Sequence, residues 1–312
     1  MNLKNVFPIF LIFLFSGCFC LHRECSIRKD DLTNPILRYM SLRELKNFKN
    51  KIEPILERHL KTGDLKKAAV YFRTLPDGMW FGINEKEQFA PASLMKVPVM
   101  MSILKMSEKD PHILTTQIKA EELNIMPQNI SPEKKLQPGQ VYTAEDLLYR
   151  MIVYSDNAAQ DLLLKRFGRE AALRATLDLG ILVYDDILKN ELSFSIKNYA
   201  GMFRILYNAS YLNKKMSQKA LEYLTEVKFK EGIAAGLPRG VCGAHKFGER
   251  FFKFDFPPYE EIVQMHDCGI IYHPDSPYLL AIMTQGKDFE TLKKIIQEIS
   301  HQVYQEVDSQ SR

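Results

Sequence analysis

Apolar positions along the chain follow two periods. The stretch SLRELKNFKNKIEPILERHL carries Leu42, Leu45, Phe48, Ile52, Ile55 and Leu56 at helical intervals, with Ser41 and Glu44 at capping-box spacing. It predicts a surface helix packed by one face. AAVYFRTL and MWFGIN are strand-like and joined through Pro76-Asp77-Gly78, which predicts a hairpin. From Ala92 to about Met106 the pattern turns helical, with Pro98 in the first turns or at a kink. Residues 110 to 142 are polar and proline-bearing, with no clear period.

TAEDLLYRMIVYSDNAAQDLLLKRFG holds two helical runs, the first capped by Thr143 and the second ended by Gly168. FSIKNYAGMFRILYNAS and MSQKALEYLTEVKF continue the helical middle. After Gly232 come three strand candidates, VCGAHKFGERFFKF, IVQMHDCGIIYH and YLLAIMTQG, and then the amphipathic helix DFETLKKIIQEISHQVYQEV. Two strands early and three late predict an α+β fold. A five-stranded antiparallel sheet is assembled from both chain ends, with an all-helical lobe against it.

The N-terminus changes the picture. After Lys4, VFPIFLIFLFSGC is too short to span a bilayer and ends in small residues before a cysteine, so residues 1–17 read as an export signal of lipoprotein type. Leu14-Phe15-Ser16-Gly17-Cys18 resembles a bacterial lipobox with a bulky Phe15, which makes Cys18 the lipidation site and the membrane anchor. A plain secretory signal is the alternative. Residues 18–40 are then a flexible tether and 41–312 the folded domain. The expected location is a bacterial envelope, periplasmic or membrane-anchored.

At 312 residues and 46% hydrophobic the chain can bury one large core, and a monomer is expected. The 42 basic and 38 acidic residues are interspersed, which excludes a nucleic-acid partner and leaves a small-molecule or peptide substrate. Export permits disulfides. Cys242 and Cys268 flank the loop around Phe254 to Tyr259, where they either face each other across a hairpin or sit as two small buried hydrophobes, the preferred reading.

Ser93 and Lys96 form a Ser-x-x-Lys pattern, but so do Ser26/Lys29, Ser102/Lys105 and Ser131/Lys134. Company singles out Ser93: Ser155-Asp156-Asn157 follows 62 residues later, and Lys246-Phe247-Gly248 another 91 on. On a helix, Lys96 lies one turn beyond Ser93 on the same face, so a buried amine of lowered pKa can take the serine proton. The alternative for Ser93 is an ordinary N-cap. Cys242 beside His245 lacks an orienting acid, so thiol chemistry is set aside. The seven histidines are scattered and none forms a His-x-x-x-His pair, so neither metal nor cofactor is expected.

This ordered triplet resembles the class A β-lactamases and related penicillin-recognising serine hydrolases, over almost the whole of residues 41–312. The resemblance implies a β-lactamase/transpeptidase-like fold and an acyl-enzyme formed on Ser93. It implies that Ser155 hands a proton to the departing nitrogen while Lys246 holds its hydroxyl and an anionic substrate group. Asn157 would orient Lys96 and bind the substrate amide, and Asp156 would brace the loop. The N–H groups of Ser93 and Glu249 would form the oxyanion hole, with Phe247, Gly248 and Glu249 lining the substrate site.

Two departures stand out. Phe247 occupies the place of a hydroxyl residue that binds substrate carboxylate, and DDILKNELSFSIKN lacks the Glu-x-x-Leu-Asn pattern that supplies the deacylating base. Glu191 is the nearest stand-in, with a solvated loop carboxylate the preferred reading.

Overall fold

The computed structural model describes residues 42–121, 135–181, 184–186, 191–253 and 261–311. Cys18, the leader, the tether and Ser41 lie outside the described residues. Helix α1 (Leu42–Thr62) leads into β1 (Leu65–Thr74) and β2 (Trp80–Ile83), the predicted hairpin, followed by β3 (Gln88–Phe89). A 3₁₀ turn (Ala92–Met95) runs into α2 (Lys96–Ser107), where Pro98 sits within the first turn and displaces no helical hydrogen bond.

The polar stretch beyond holds α3 (His112–Thr115) and a two-stranded ribbon, β4 (Gln117–Lys119) with β5 (Val141–Thr143). The helical lobe continues with α4 (Ala144–Val153), α5 (Asn157–Phe167) and α6 (Arg169–Asp178). Thr143 caps α4 through its side chain, and Gly168, at φ 89°, ends α5 in a conformation that favours glycine.

Next come β6 (Tyr184–Asp186), β7 (Glu191–Ser195), α7 (Ile196–Tyr207) and α8 (Lys214–Thr225). The chain closes with β8 (Cys242–Lys253), β9 (Glu261–Tyr272), β10 (Tyr278–Gly286) and α9 (Phe289–Ser311).

The main sheet has the order β2-β1-β10-β9-β8, antiparallel throughout, so the early hairpin joins the late strands through β1 and β10. This is the sheet expected from both chain ends. Strand alternation sends Phe72 toward α1, where its ring meets Phe48 at 4.7 Å, and Tyr71 to the opposite face under α7. Helices α1 and α9 pack together on the first face, and α7 and α8 on the second.

Two details differ from expectation. The hairpin register pairs Cys242 with Tyr272 and Cys268 with Lys246, so the two cysteines do not face each other, in line with the preferred reading of two separate buried residues, but the bonding of Cys242 departs from it. Cys268 is a free, fully buried thiol, whereas Cys242 is disulfide-bonded with a partner outside the described residues, which also removes it as a nucleophile. The region expected to be a loop around Glu191 contains a strand, with Glu191 opposite Asp186, because β6 offers three residues with which β7 can pair.

Phe48 is fully buried and its ring also meets Phe81 at 5.2 Å. Phe48→Ala is expected to destabilise the fold by about 3–5 kcal/mol, read as a shift of the denaturant midpoint at unchanged m-value.

Candidate active site

Three separate segments meet where the sheet edge β8 touches the helical lobe. The first is the 3₁₀ turn carrying Ser93. Ser93 lies inside this turn, and α2 is N-capped at Met95 with no side-chain bond, so Ser93 does not serve as the cap that its position allowed. Ala92 before it has left-handed backbone, φ 48°. The turn is pinned on both sides: Tyr199 donates its hydroxyl to the Leu94 carbonyl at 3.1 Å, and His266 Nε2 lies 3.1 Å from the Ala90 carbonyl. Thr284 N–H donates to His266 Nδ1, which leaves the ring hydrogen on Nε2, pointing at Ala90. Burial lowers the His266 pKa to about 4, so the ring stays neutral.

Lys96 opens α2 and is 1% exposed. Its Nζ lies 2.7 Å from Ser93 Oγ and donates to Asn157 Oδ1 at 2.6 Å. Burial lowers its pKa to about 7, against an opposing pull from the Asp156 and Glu249 carboxylates. Near neutrality a large share of this amine is therefore unprotonated. It can accept the Ser93 hydroxyl hydrogen while still donating to Asn157.

The second segment links α4 to α5. Asp156 caps α5 by accepting from the N–H groups of Ala158 and Ala159 at 2.8 and 3.2 Å. This fixes Asn157 on the first helical position. Ser155, one residue earlier, is 1% exposed and held at φ 56°, an unusual backbone for serine. The bend turns its hydroxyl toward the third segment.

That segment is Lys246-Phe247-Gly248 on β8. Lys246 is fully buried, and its Nζ donates to Ser155 Oγ and to the Phe247 carbonyl, both at 2.9 Å. Burial pushes this ammonium well below the ordinary lysine range and the Lys96 charge pushes the same way, while Asp267 and Glu249 oppose them. Gly248 is where strand and turn come closest. A Cβ there would stand 3.1 Å from the Pro91 carbonyl and 3.3 Å from the Leu94 nitrogen.

Phe247 is 2% exposed. Alternation puts it on the same face as its partner Asp267 and opposite Lys246, with its ring stacked on Phe229 at 4.3 Å. The same ring lies 4.0 Å from Lys246 Nζ, a cation–π contact in a dry setting. Where the resemblance puts a hydroxyl, this chain has a buried hydrocarbon face. Glu249 follows, half-buried, and the side chain of Glu191 lies outside what the structure describes.

The sequence profile of the β-lactamase enzyme family matches residues 47–307. The chain belongs to the β-lactamase enzyme family. β-Lactamase VEB-1 of Pseudomonas aeruginosa is 23% identical over 238 residues, covering 70% of this chain and 78% of the relative. Extended-spectrum β-lactamase PER-1 of the same organism is 24% identical over 241 residues, covering 72% and 77%. A mutant of PBP-A, solved as an acyl-enzyme complex with penicillin G, superposes with a TM-score of 0.70 at 20% identity, covering 88% of this chain and all of that one. The fold is thus the β-lactamase/transpeptidase-like fold.

Within this family member, several supporting residues escape sequence reading. Asp267 is fully buried, accepts from Ile233 N–H at 2.8 Å and pairs with His245 Nδ1 at 2.8 Å behind Lys246. His245 is thereby held against a buried carboxylate. Tyr199, His266 and Phe229 act through contacts between segments far apart in the chain, and only an apolar context marks them beforehand.

Two pH effects follow. Below pH 7 Lys96 carries a proton and cannot take one from Ser93, so the rate of Ser93 labelling by a fluorophosphonate should fall about tenfold per pH unit there and level off above. A rate that rises only near pH 10 would contradict this. The depressed His266 pKa means that the unfolded chain binds a proton at 6.5 while the folded one does not until about 4. Stability is therefore lost as pH falls from 6.5, by up to about 3 kcal/mol. His266→Gln should flatten that slope in unfolding measurements between pH 7 and pH 5.

Proposed function

We propose that this protein is an exported serine hydrolase that works through an acyl-enzyme on Ser93. The observation that carries the reading is the convergence of Ser93, Lys96 and Asn157 with Ser155 and Lys246 in two hydrogen-bonded chains at one seam. Neutral Lys96 takes the Ser93 hydroxyl proton as Oγ bonds to the substrate carbonyl carbon. The N–H groups of Ser93 and Glu249 receive the oxyanion, drawn together by the close approach at Gly248. Collapse breaks the bond to the leaving group, which takes its proton from Ser155. Lys246 then restores that proton to Ser155 across 2.9 Å.

The substrate class is a β-lactam, a peptidoglycan-like peptide or another ester or amide. The β-lactamase relatives and the penicillin G adduct of PBP-A support the first. The buried Phe247 ring supports a substrate whose anionic group needs no hydroxyl at that position, and leaves Lys246 as the main source of positive field. With no Glu-x-x-Leu-Asn pattern and Glu191 on β7, deacylation is the slow step. Export rests on the leader, and Cys18 is the proposed lipid anchor. Among the described residues no helix is long and apolar enough to cross a membrane.

A second reading keeps the scaffold as a penicillin-binding or non-catalytic binding protein, and the loss of the strand hydroxyl at Phe247 favours it. One experiment separates the two. Protein treated with fluorescent penicillin or a fluorophosphonate should carry a mass adduct on Ser93 that Ser93→Ala lacks, and the label should leave much more slowly than it arrives. No adduct with either probe would overturn the hydrolase reading. Hydrolysis that Ser93→Ala abolishes would remove the binding-only one.

A further inference from the structure

At the far edge of the sheet from β8 there is a second hollow, of about 290 Å3, between the β1–β2 edge and α7. None of Ser93, Lys96, Ser155, Asn157 or Lys246 lines it. Three cations do: Arg73 on β1, and Lys197 and Arg204 on α7. No ion pair reaches any of the three among the described residues, and no carboxylate is among those lining the hollow. An uncompensated cluster of three cations around one concavity raises the local concentration of anions.

The wall is aromatic. Trp80 faces Arg73 across the β1–β2 register, Tyr71 stacks on it at 5.5 Å, and Lys197 Nζ lies 4.2 Å from its ring centroid. These contacts hold the indole and one ammonium in place before any ligand arrives.

The floor carries the sharper signal. Lys197, Gly201 and Arg204 follow one stripe of α7, so the glycine lies between the two helix cations. Glycine is the poorest helix former after proline. Nothing in the folded chain requires it here, because a Cβ at Gly201 would meet no atom within 4 Å. The space is open, and beside it Ile205 offers an apolar side.

We propose that this hollow is a binding site for a small ring-bearing acid, such as an aryl carboxylate or aryl phosphate. The acid group is taken by Arg73, Lys197 and Arg204, and the ring occupies the space over Gly201 against Ile205. The site is independent of the chemistry at Ser93. Arginine's planar fork suits carboxylate and phosphate alike, so the shared feature is a compact anion on a flat apolar body.

Trp80 is the only tryptophan in the chain, so its fluorescence reports on this hollow alone. Phenyl phosphate titrated at constant ionic strength should change that emission saturably, with a dissociation constant on the order of 1 mM or tighter. Inorganic phosphate, which has the charge without the ring, and benzyl alcohol, which has the ring without the charge, should each bind at least about tenfold more weakly. Gly201→Leu, which fills the space, and Arg204→Gln, which removes a cation, should each weaken phenyl phosphate by a similar factor, while Ser93→Ala leaves it unchanged. Gly201→Ala keeps the helix intact and should weaken binding in the same direction if the larger leucine disturbs the fold. A response that does not saturate, that is equal for all three probes, or that survives both Gly201→Ala and Arg204→Gln would overturn the proposal.

Discussion

Two lysine amines buried in one cleft set the terms for the rest of this structure. Each would hold its proton firmly in water; burial weakens that hold at both, and the Lys96 charge adds to the effect at Lys246. The surroundings are arranged to make the pair tolerable: Asn157 and Ser93 receive Lys96, while Ser155, a carbonyl and an aromatic face receive Lys246. Carboxylates at Asp156, Glu249 and Asp267 supply compensating charge nearby. The same cost that destabilises the charged forms turns Lys96 into a base near neutrality, so stability and reactivity draw on one physical cause.

The fold's task is to hold three segments at that seam. A 3₁₀ turn with left-handed backbone at Ala92 presents Ser93, and a strained link at Ser155 presents the second hydroxyl. The edge strand approaches within contact of the turn because Gly248 has no side chain. Behind the strand, Asp267 ties His245 and the Ile233 N–H together on the face opposite Lys246. Strain and close approach of this kind persist only where neighbouring contacts over-determine the geometry. Tyr199 and His266 supply such contacts from α7 and β9.

Much of this was legible in the sequence, and for identifiable reasons. Strong periods gave away α1, the Pro76-Asp77-Gly78 hairpin, β8 to β10 and α9, and the ordered Ser-x-x-Lys, Ser-Asp-Asn and Lys-x-Gly segments marked the groups that the structure brings together. Short strands such as β3 and β4 offer too few residues for alternation to register, and α6 has no strong apolar stripe. The hairpin register is a tertiary choice, which is why Cys268 meets Lys246 rather than Cys242. The Tyr199–Leu94 and His266–Ala90 contacts join residues 105 and 176 positions apart, beyond the reach of any local pattern. Phe247 was visible as a departure, but its burial against Phe229 was not.

The most direct test of the shared-burial account is to titrate the lysine side chains themselves. With lysine labelled at Cε and followed by NMR from pH 5 to pH 11, the account predicts one resonance with a midpoint near 7 that disappears in Lys96→Ala. A second, assigned by Lys246→Ala, should titrate below the ordinary lysine range. Both amines titrating near 10.5 would show that the cleft does not desolvate them, and the account would fail.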